Sequence, residues 1–272
     1  MIDVINKISK YDLSTIYDPI KKEFSNKGST LGHNYLKYHF DSYWSSRFNK
    51  NKSPKEAWLD DKIMSEVIEY RIGCNDSNEI FDFSLQQMIR GLSARRITIS
   101  FFKPLLAASI YKHYLGNKRN PIVLDPCCGF GARLLAFKSL YPDGTYVGCE
   151  PNIETYHELL QLVKDANWRD VYINNCKFED FIDNRTFDFV FTSIPYYDLE
   201  VYSNNTEYVS FDDWVNKFIK SFNRYGDKNC YINCPSELAN TLNWTNVDNY
   251  VVSNTTHFNK TNNEKREVII KL

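Results

Sequence analysis

No run of eighteen apolar residues occurs in the 272 residues, so no segment is written as a helix long enough to cross a bilayer. The N-terminal MIDVINKISKYD lacks the uninterrupted apolar core of a signal peptide, and a cytoplasmic location is expected. The seven cysteines (74, 127, 128, 149, 176, 230 and 234) are odd in number and form no C-x-x-C pair, so neither a zinc knuckle nor a disulfide frame is indicated. The five histidines (33, 39, 113, 157 and 257) show no ligand spacing, and no metal is expected. There is no G-x-x-x-x-G-K-[ST] segment to cradle a triphosphate. A net charge of -1 also leaves no global field to draw in nucleic acid, so any such contact needs local basic patches.

What is present has two textures. Residues 1–96 read as a mainly helical domain without strand alternation. LDDKIMSEVIEYRIG sets Leu59, Ile63, Val67 and Ile68 on one face and stops at Gly73, and FDFSLQQMIRGLSARR gives a second helix ending at Arg95 and Arg96. Residues 97–272 alternate. Pro104 suits the first turn of a helix that runs to Gly116. Strands are expected at Ile122–Asp125, Thr145–Cys149, Val171–Asn174, Phe187–Thr192 and Cys230–Asn233, with helices at Gly131–Leu140, Glu154–Ala166 and Phe211–Arg224. Two last strands, Tyr250–Thr256 and Glu267–Leu272, flank the turn-rich KTNNEK. This order implies an α/β fold with a mostly parallel sheet covered on both faces, and an antiparallel hairpin at one edge.

Ligands of such sheets bind beyond the carboxyl ends of the strands. Asp125 ends the first strand there, and Pro126, Cys127, Cys128 and Gly129-x-Gly131 follow; the glycines permit dihedrals that a Cβ forbids. Glu150 ends the second strand, where a carboxylate can accept both hydroxyls of a ribose. Two other readings of the turn stand beside this one. In one, Asp125 merely caps the next helix; in the other, the turn serves a dinucleotide, although Leu134 stands where the third glycine of G-x-G-x-x-G would fall. The cysteines at these strand ends read as small buried fillers rather than nucleophiles.

Together with SIPY at Ser193–Tyr196, these segments make the chain similar to the S-adenosylmethionine-dependent amino-group DNA methyltransferases, particularly the small phage-encoded kind. The match runs from about Ser100 to Tyr202 in the family's order. The resemblance implies a Rossmann-like methyltransferase sheet and S-adenosylmethionine as cofactor. It puts Phe101, Phe102 and Lys103 near the methionine part, and DPCCGFG around its amino and carboxylate groups. Glu150 falls on the ribose, Pro151 beside the adenine, and Lys177 and Phe178 of KFED at the adenine edge.

SIPY resembles the family's [D/N/S]-P-P-[Y/F/W] motif, which implies catalytic roles for Ser193, Ile194, Pro195 and Tyr196. The exocyclic amine of adenine or cytosine is a poor nucleophile because its lone pair is delocalised into the ring. A side-chain oxygen and a backbone carbonyl that accept its two N–H bonds draw the nitrogen towards a tetrahedral form. Tyr196 would stack on the base after it leaves the duplex. Ile194 replaces the motif's first proline and removes one fixed φ, yet the carbonyl this position contributes is one any residue supplies, so an active enzyme is expected. Tyr197, Asp198, Glu200 and Tyr202 continue the resemblance as base-pocket residues, or else form a solvated polar loop.

No large recognition insert is present, so the N-terminal region is the candidate for holding DNA. Arg47, Lys50, Lys52, Lys55, Arg90, Arg95 and Arg96 can meet phosphates, and Trp44 and Phe48 can stack; a solvated charged face is the equal alternative. Three rivals to a DNA enzyme remain: an RNA methyltransferase, a protein-amide methyltransferase, and a degenerate, non-catalytic binding module of the same fold.

Overall fold

The computed structural model describes residues 1–25, 30–48, 51–74, 84–95, 97–99, 102–194, 200–201, 210–225, 229–242, 250–253 and 267–272. Its helices are α1 Ile2–Ser9, α2 His33–His39, α3 Asp41–Ser45, α4 Pro54–Trp58, α5 Asp61–Gly73, α6 Leu85–Ala94, α7 Pro104–Leu115, α8 Ala132–Leu140, α9 Ile153–Asp165, α10 Phe211–Trp214 and α11 Ser236–Thr241. Its strands are β1 Tyr17–Asp18, β2 Glu23–Ser25, β3 Arg47–Phe48, β4 Ile122–Asp125, β5 Thr145–Cys149, β6 Val171–Asn174, β7 Phe189–Ser193, β8 Glu200–Val201, β9 Cys230–Pro235, β10 Tyr250–Ser253 and β11 Glu267–Lys271. The chain divides into two compact units. One comprises Met1–His39, Phe101–Pro195 and Tyr208–Leu272, the other Phe40–Ser100 and Tyr196–Glu207.

The first unit carries a nine-stranded sheet in the order β1-β2-β10-β11-β9-β7-β4-β5-β6. Strands β6, β5, β4, β7 and β9 are parallel, β11 runs antiparallel between β9 and β10, and β10 is parallel to β2. This is the α/β fold expected, with two differences. The antiparallel C-terminal hairpin is not an edge, because β2 adds to β10 and β1 closes the sheet beyond it. The first 39 residues, read from sequence as part of a helical domain ending at residue 96, therefore contribute to the sheet. Their strands are two and three residues long, too short to alternate. Their turn is set by Asp18, whose carboxylate accepts the N–H groups of Ile20 (2.9 Å) and Lys21 (3.2 Å).

Alternate residues of the central strands serve the two faces. Phe189, Phe191 and Tyr231 meet Tyr111 and Tyr114 of α7, and Phe191 also meets Phe102 just before that helix. Val190, Ile194, Cys230, Ile232 and Cys234 join the opposite cluster with Trp214, Phe218, Phe222 and Phe178. The helix expected over Phe211–Arg224 is broken up there: α10 passes into a π-helical stretch at Val215–Ile219 and a 3₁₀ turn at Phe222–Tyr225. Trp214 and Phe218 nevertheless stack with ring centres 5.9 Å apart.

Lys138 is a buried charge that is fully satisfied. Only 1% exposed, it donates to the carbonyls of Pro142 (2.6 Å), Gly144 (2.9 Å) and Arg169 (2.8 Å). One ammonium thus ties the loop before β5 to the loop before β6.

In the second unit α5 packs on α6 around Val67, Met88, Leu92 and Ile97. Gly91 is required at that crossing, since a Cβ there would lie 2.6 Å from Val67. Ser53 and Ser84 each open a helix with a capping box, through Glu56 and Gln87. Leu59 lies before α5 rather than on its apolar face and is exposed, because Asp60 caps the helix. Strands β3 and β8 pair antiparallel in this unit.

Replacing Lys138 by Met keeps the stem and strands three carbonyls. Urea unfolding is expected to show a loss of about 2–3 kcal/mol with an unchanged m-value.

Candidate active site

The loop after β4 meets the end of β7 at the carboxyl end of the sheet, and a buried carboxylate joins them. Asp125, 0% exposed at the end of β4, accepts from Arg133 Nε on α8 (2.7 Å), from the Tyr146 hydroxyl on β5 and from Thr192 Oγ1 on β7 (3.0 Å). Cys127 N–H points at the same carboxylate (3.3 Å) and at Thr192 Oγ1 (3.1 Å). Arg133 donates in addition to the Cys127 carbonyl, and its guanidinium lies 5.5 Å from the centre of the Phe102 ring. Burial disfavours the Arg133 charge, but Asp125 beside it more than offsets this and raises its pKa. Burial, then Asp125, raises the Tyr146 phenol well above its usual range. Both oxygens of Asp125 are therefore engaged within the protein, and the residue acts here by shaping the loop.

Gly129 and Gly131 follow with φ of 49° and 71°, and Gly131 opens α8 in the left-handed conformation. A Cβ on Gly129 would meet nothing closer than 4.0 Å, so this turn is open beside its backbone. Its N–H bonds the Glu150 carboxylate, which also accepts from Asn152 N (2.9 Å). Glu150 is 8% exposed at the end of β5, and burial pushes its carboxyl up to about 7. A carboxylate and an open glycine turn on neighbouring strands fit a ribose and the polar end of a small cofactor. Gly148 fits the same loop to β5, since a Cβ there would lie 3.0 Å from Cys128 Sγ. Burial raises the thiols of Cys127 and Cys128 well above their usual range, as expected of packing residues rather than nucleophiles.

Ser193, half-buried, ends β7 on the face of Phe191 and of Phe102, whose ring meets Phe191 edge-on at 5.7 Å. Ile194 points to the other face, 2% exposed in the Trp214 cluster, and its N–H donates to the Asn233 carbonyl (3.3 Å). A proline here would lack that bond. Lys103 precedes Pro104 at the start of α7; burial lowers its pKa and the Glu267 carboxylate partly restores it.

Other predicted residues lie elsewhere. Phe178 is 2% exposed among Phe218, Phe222 and Tyr225, so its ring is a core element, while Lys177 precedes the 3₁₀ turn that carries it. Pro126 lies in the turn after β4 and Pro151 is exposed before α9. In the second unit Arg47, Lys52, Lys55 and Arg95 are paired with Glu56, Asp60, Asp41 and Glu66, and Arg90 is exposed. Trp44 is half-buried, edge-on to Tyr43. Lys50, Arg96, Phe101, Pro195, Tyr196, Tyr197, Asp198 and Tyr202 lie outside the described residues, as do the side chains of Phe48 and Glu200. Sequence reasoning missed Arg133, Tyr146 and Thr192. Arg133 offered a signal, being a charged residue directly after Gly131-Ala132 in an otherwise apolar helix start.

No protein-family model matches the chain, and no curated protein matches it. Solved structures do resemble it. PKMT2 from Rickettsia typhi, in complex with AdoHcy, is similar at 19% identity and a TM-score of 0.34 over 43% of this chain, which covers only 21% of that one. A putative rRNA-methylase from Clostridium thermocellum aligns over 64% of this chain and 100% of its own, at 14% identity and a TM-score of 0.44. SMU.1697c, a putative methyltransferase from Streptococcus mutans in complex with SAH, aligns over the same shares at 11% identity and a TM-score of 0.43. Likenesses of this order decide nothing about activity.

Asp125→Ala leaves Arg133 buried without its counter-charge. The expected loss is about 3–5 kcal/mol of folding stability, read by denaturant unfolding, whether or not a cofactor is present.

Proposed function

We propose that the chain transfers a methyl group from S-adenosylmethionine to an exocyclic amino group of a DNA base, adenine N6 or cytosine N4. The observation that carries this reading is the Thr192 hydroxyl, which bonds both Asp125 and the Cys127 N–H. It fastens the end of β7, where Ser193 and Ile194 stand, to the glycine loop where a cofactor would sit. The cofactor, when bound, supplies a methyl group activated by a sulfonium.

The chain's own residues do the rest. Glu150 accepts the ribose hydroxyls, and the backbone at Gly129 and Gly131 lies along the methionyl end. Ser193 Oγ accepts one N–H of the amine and the Ile194 carbonyl the other, which turns the nitrogen lone pair outwards from the ring. Tyr196 stacks on the flipped base, and Lys103 lies at the same sheet end. Arg47, Lys52, Lys55 and Arg95, held in exposed ion pairs worth little each, exchange carboxylate for phosphate at small cost.

Transfer of labelled methyl to DNA, RNA and protein pools, followed by nucleoside mass spectrometry, tests the reading. Label in N6-methyladenine or N4-methylcytosine is expected; label confined to protein or RNA overturns it. Ser193→Ala and Tyr196→Ala are expected to lower turnover on DNA at least about 100-fold with cofactor affinity kept. Glu150 gives a pH test. Its carboxyl, raised to about 7, accepts hydroxyls as the carboxylate, so cofactor binding strengthens as pH rises through that value. Calorimetry is expected to show affinity about tenfold higher near pH 8 than near pH 6, and Glu150→Gln to flatten the profile. Stability runs the other way, because a raised carboxyl favours the fold at acid pH and that advantage is lost as pH climbs from about 4.5 through 7.

A further inference from the structure

The parallel ladder between β7 and β9 ends in a way that bears on the Ile194 carbonyl. Its register pairs Val190 with Cys230, Phe191 with Tyr231, Thr192 with Ile232 and Ser193 with Asn233. Val190 N–H donates to the Asn229 carbonyl and, four residues on, Ile194 N–H donates to that of Asn233. In a parallel pair each residue that donates to residue j also accepts from residue j+2. The donor that the ladder would direct at the Ile194 carbonyl is therefore the N–H of residue 235. Residue 235 is proline, and it has none.

The placement is unusual. Strand β9 lies inside the sheet, between β11 and β7, where a proline costs a ladder bond. A plain structural cause is also at hand, since Pro235 takes φ -61° and ψ 142° directly before α11 and suits the turn from strand to helix. A second observation points beyond that. Asn233, on the same face as Ser193, is 1% exposed, and its Oδ1 has no hydrogen-bond partner among the described residues. Its Nδ2 lies 3.4 Å from Glu267 Oε2, and a carboxylate only accepts, so the amide nitrogen faces Glu267 and the oxygen is the end left over. The end of the β7–β9 ladder thus holds two acceptor oxygens, with no donor supplied by the ladder. Acceptors without a donor among the described residues leave a place that a bound ligand's N–H can take.

We propose that Pro235 is a positioning residue for the target amine: by withholding its N–H it leaves the Ile194 carbonyl open to an N–H of the base. The inference rests on the methyl-transfer reading and adds to it the residue that keeps the acceptor free.

Pro235→Ala and Pro235→Val each restore the missing N–H. In the full chain both are expected to fold with an unchanged or higher melting temperature and unchanged S-adenosylmethionine affinity by calorimetry. Their kcat on DNA is expected to fall about 10- to 100-fold, because a ladder bond now competes for the carbonyl. Loss of stability with no specific loss of kcat, or full activity, overturns the proposal. A second measurement needs no turnover. Hydrogen exchange read by mass spectrometry should find the new amide at 235 protected; rapid exchange there means that it does not reach Ile194 and overturns the proposal. Wild-type protein that binds cofactor but methylates no DNA would instead overturn the methyl-transfer reading, and the exchange result would still show whether the carbonyl had been open.

Discussion

One buried carboxylate organises this protein's sheet end. Asp125 has no contact with solvent, and it gathers a guanidinium from α8, a phenol from β5, a hydroxyl from β7 and an amide from its own loop. Placing a charge there costs several kcal/mol unless it is paired and fully hydrogen-bonded, and here it is. Four elements must reach their final positions before that cost is offset. The carboxylate therefore works less as a glue than as a condition on geometry: the loop after β4 and the end of β7 are right together or not at all.

This accounts for what the sequence revealed and what it hid. Strands β4 to β7 and β9, helices α8 and α9 and the glycine turn could be read because each is local: an apolar run, a cap, a turn glycine. The ends of β4, β5 and β7 follow from that order, so Asp125, Glu150 and Ser193 were placed at one sheet end from sequence alone. The partners of Asp125 were not. Arg133, Tyr146 and Thr192 lie 8, 21 and 67 residues away, and no local pattern links a tyrosine inside one strand to an aspartate ending another. To the cofactor role that the resemblance implies for Asp125, the structure adds a place at the centre of the loop's internal bonding.

The N-terminal strands were hidden for a different reason. Residues Tyr17–Asp18 and Glu23–Ser25 are too short to alternate, and they join the sheet by pairing alone, β2 on β10 and β1 on β2. Phe178 was misplaced by an opposite error. A family motif drew attention to its position in sequence, while the side chain's apolar character was the better guide to its place in the Trp214 and Phe218 cluster.

The substitution in the SIPY motif shows how rigidity can move within a fold. A proline at position 194 would fix one dihedral but could not donate to β9 or fill the cluster beneath. Ile194 does both: its N–H meets the Asn233 carbonyl, and its side chain is packed against the far-face core. An anchor of that kind depends on distant residues. Trp214 and Phe218 stack in the cluster that holds its side chain, so a cavity opened there would loosen the end of β7 without touching any group that meets a ligand. The precision of Ser193 would then be set by the core under Ile194 as much as by Asp125, which makes the far face of the sheet part of the site it never contacts.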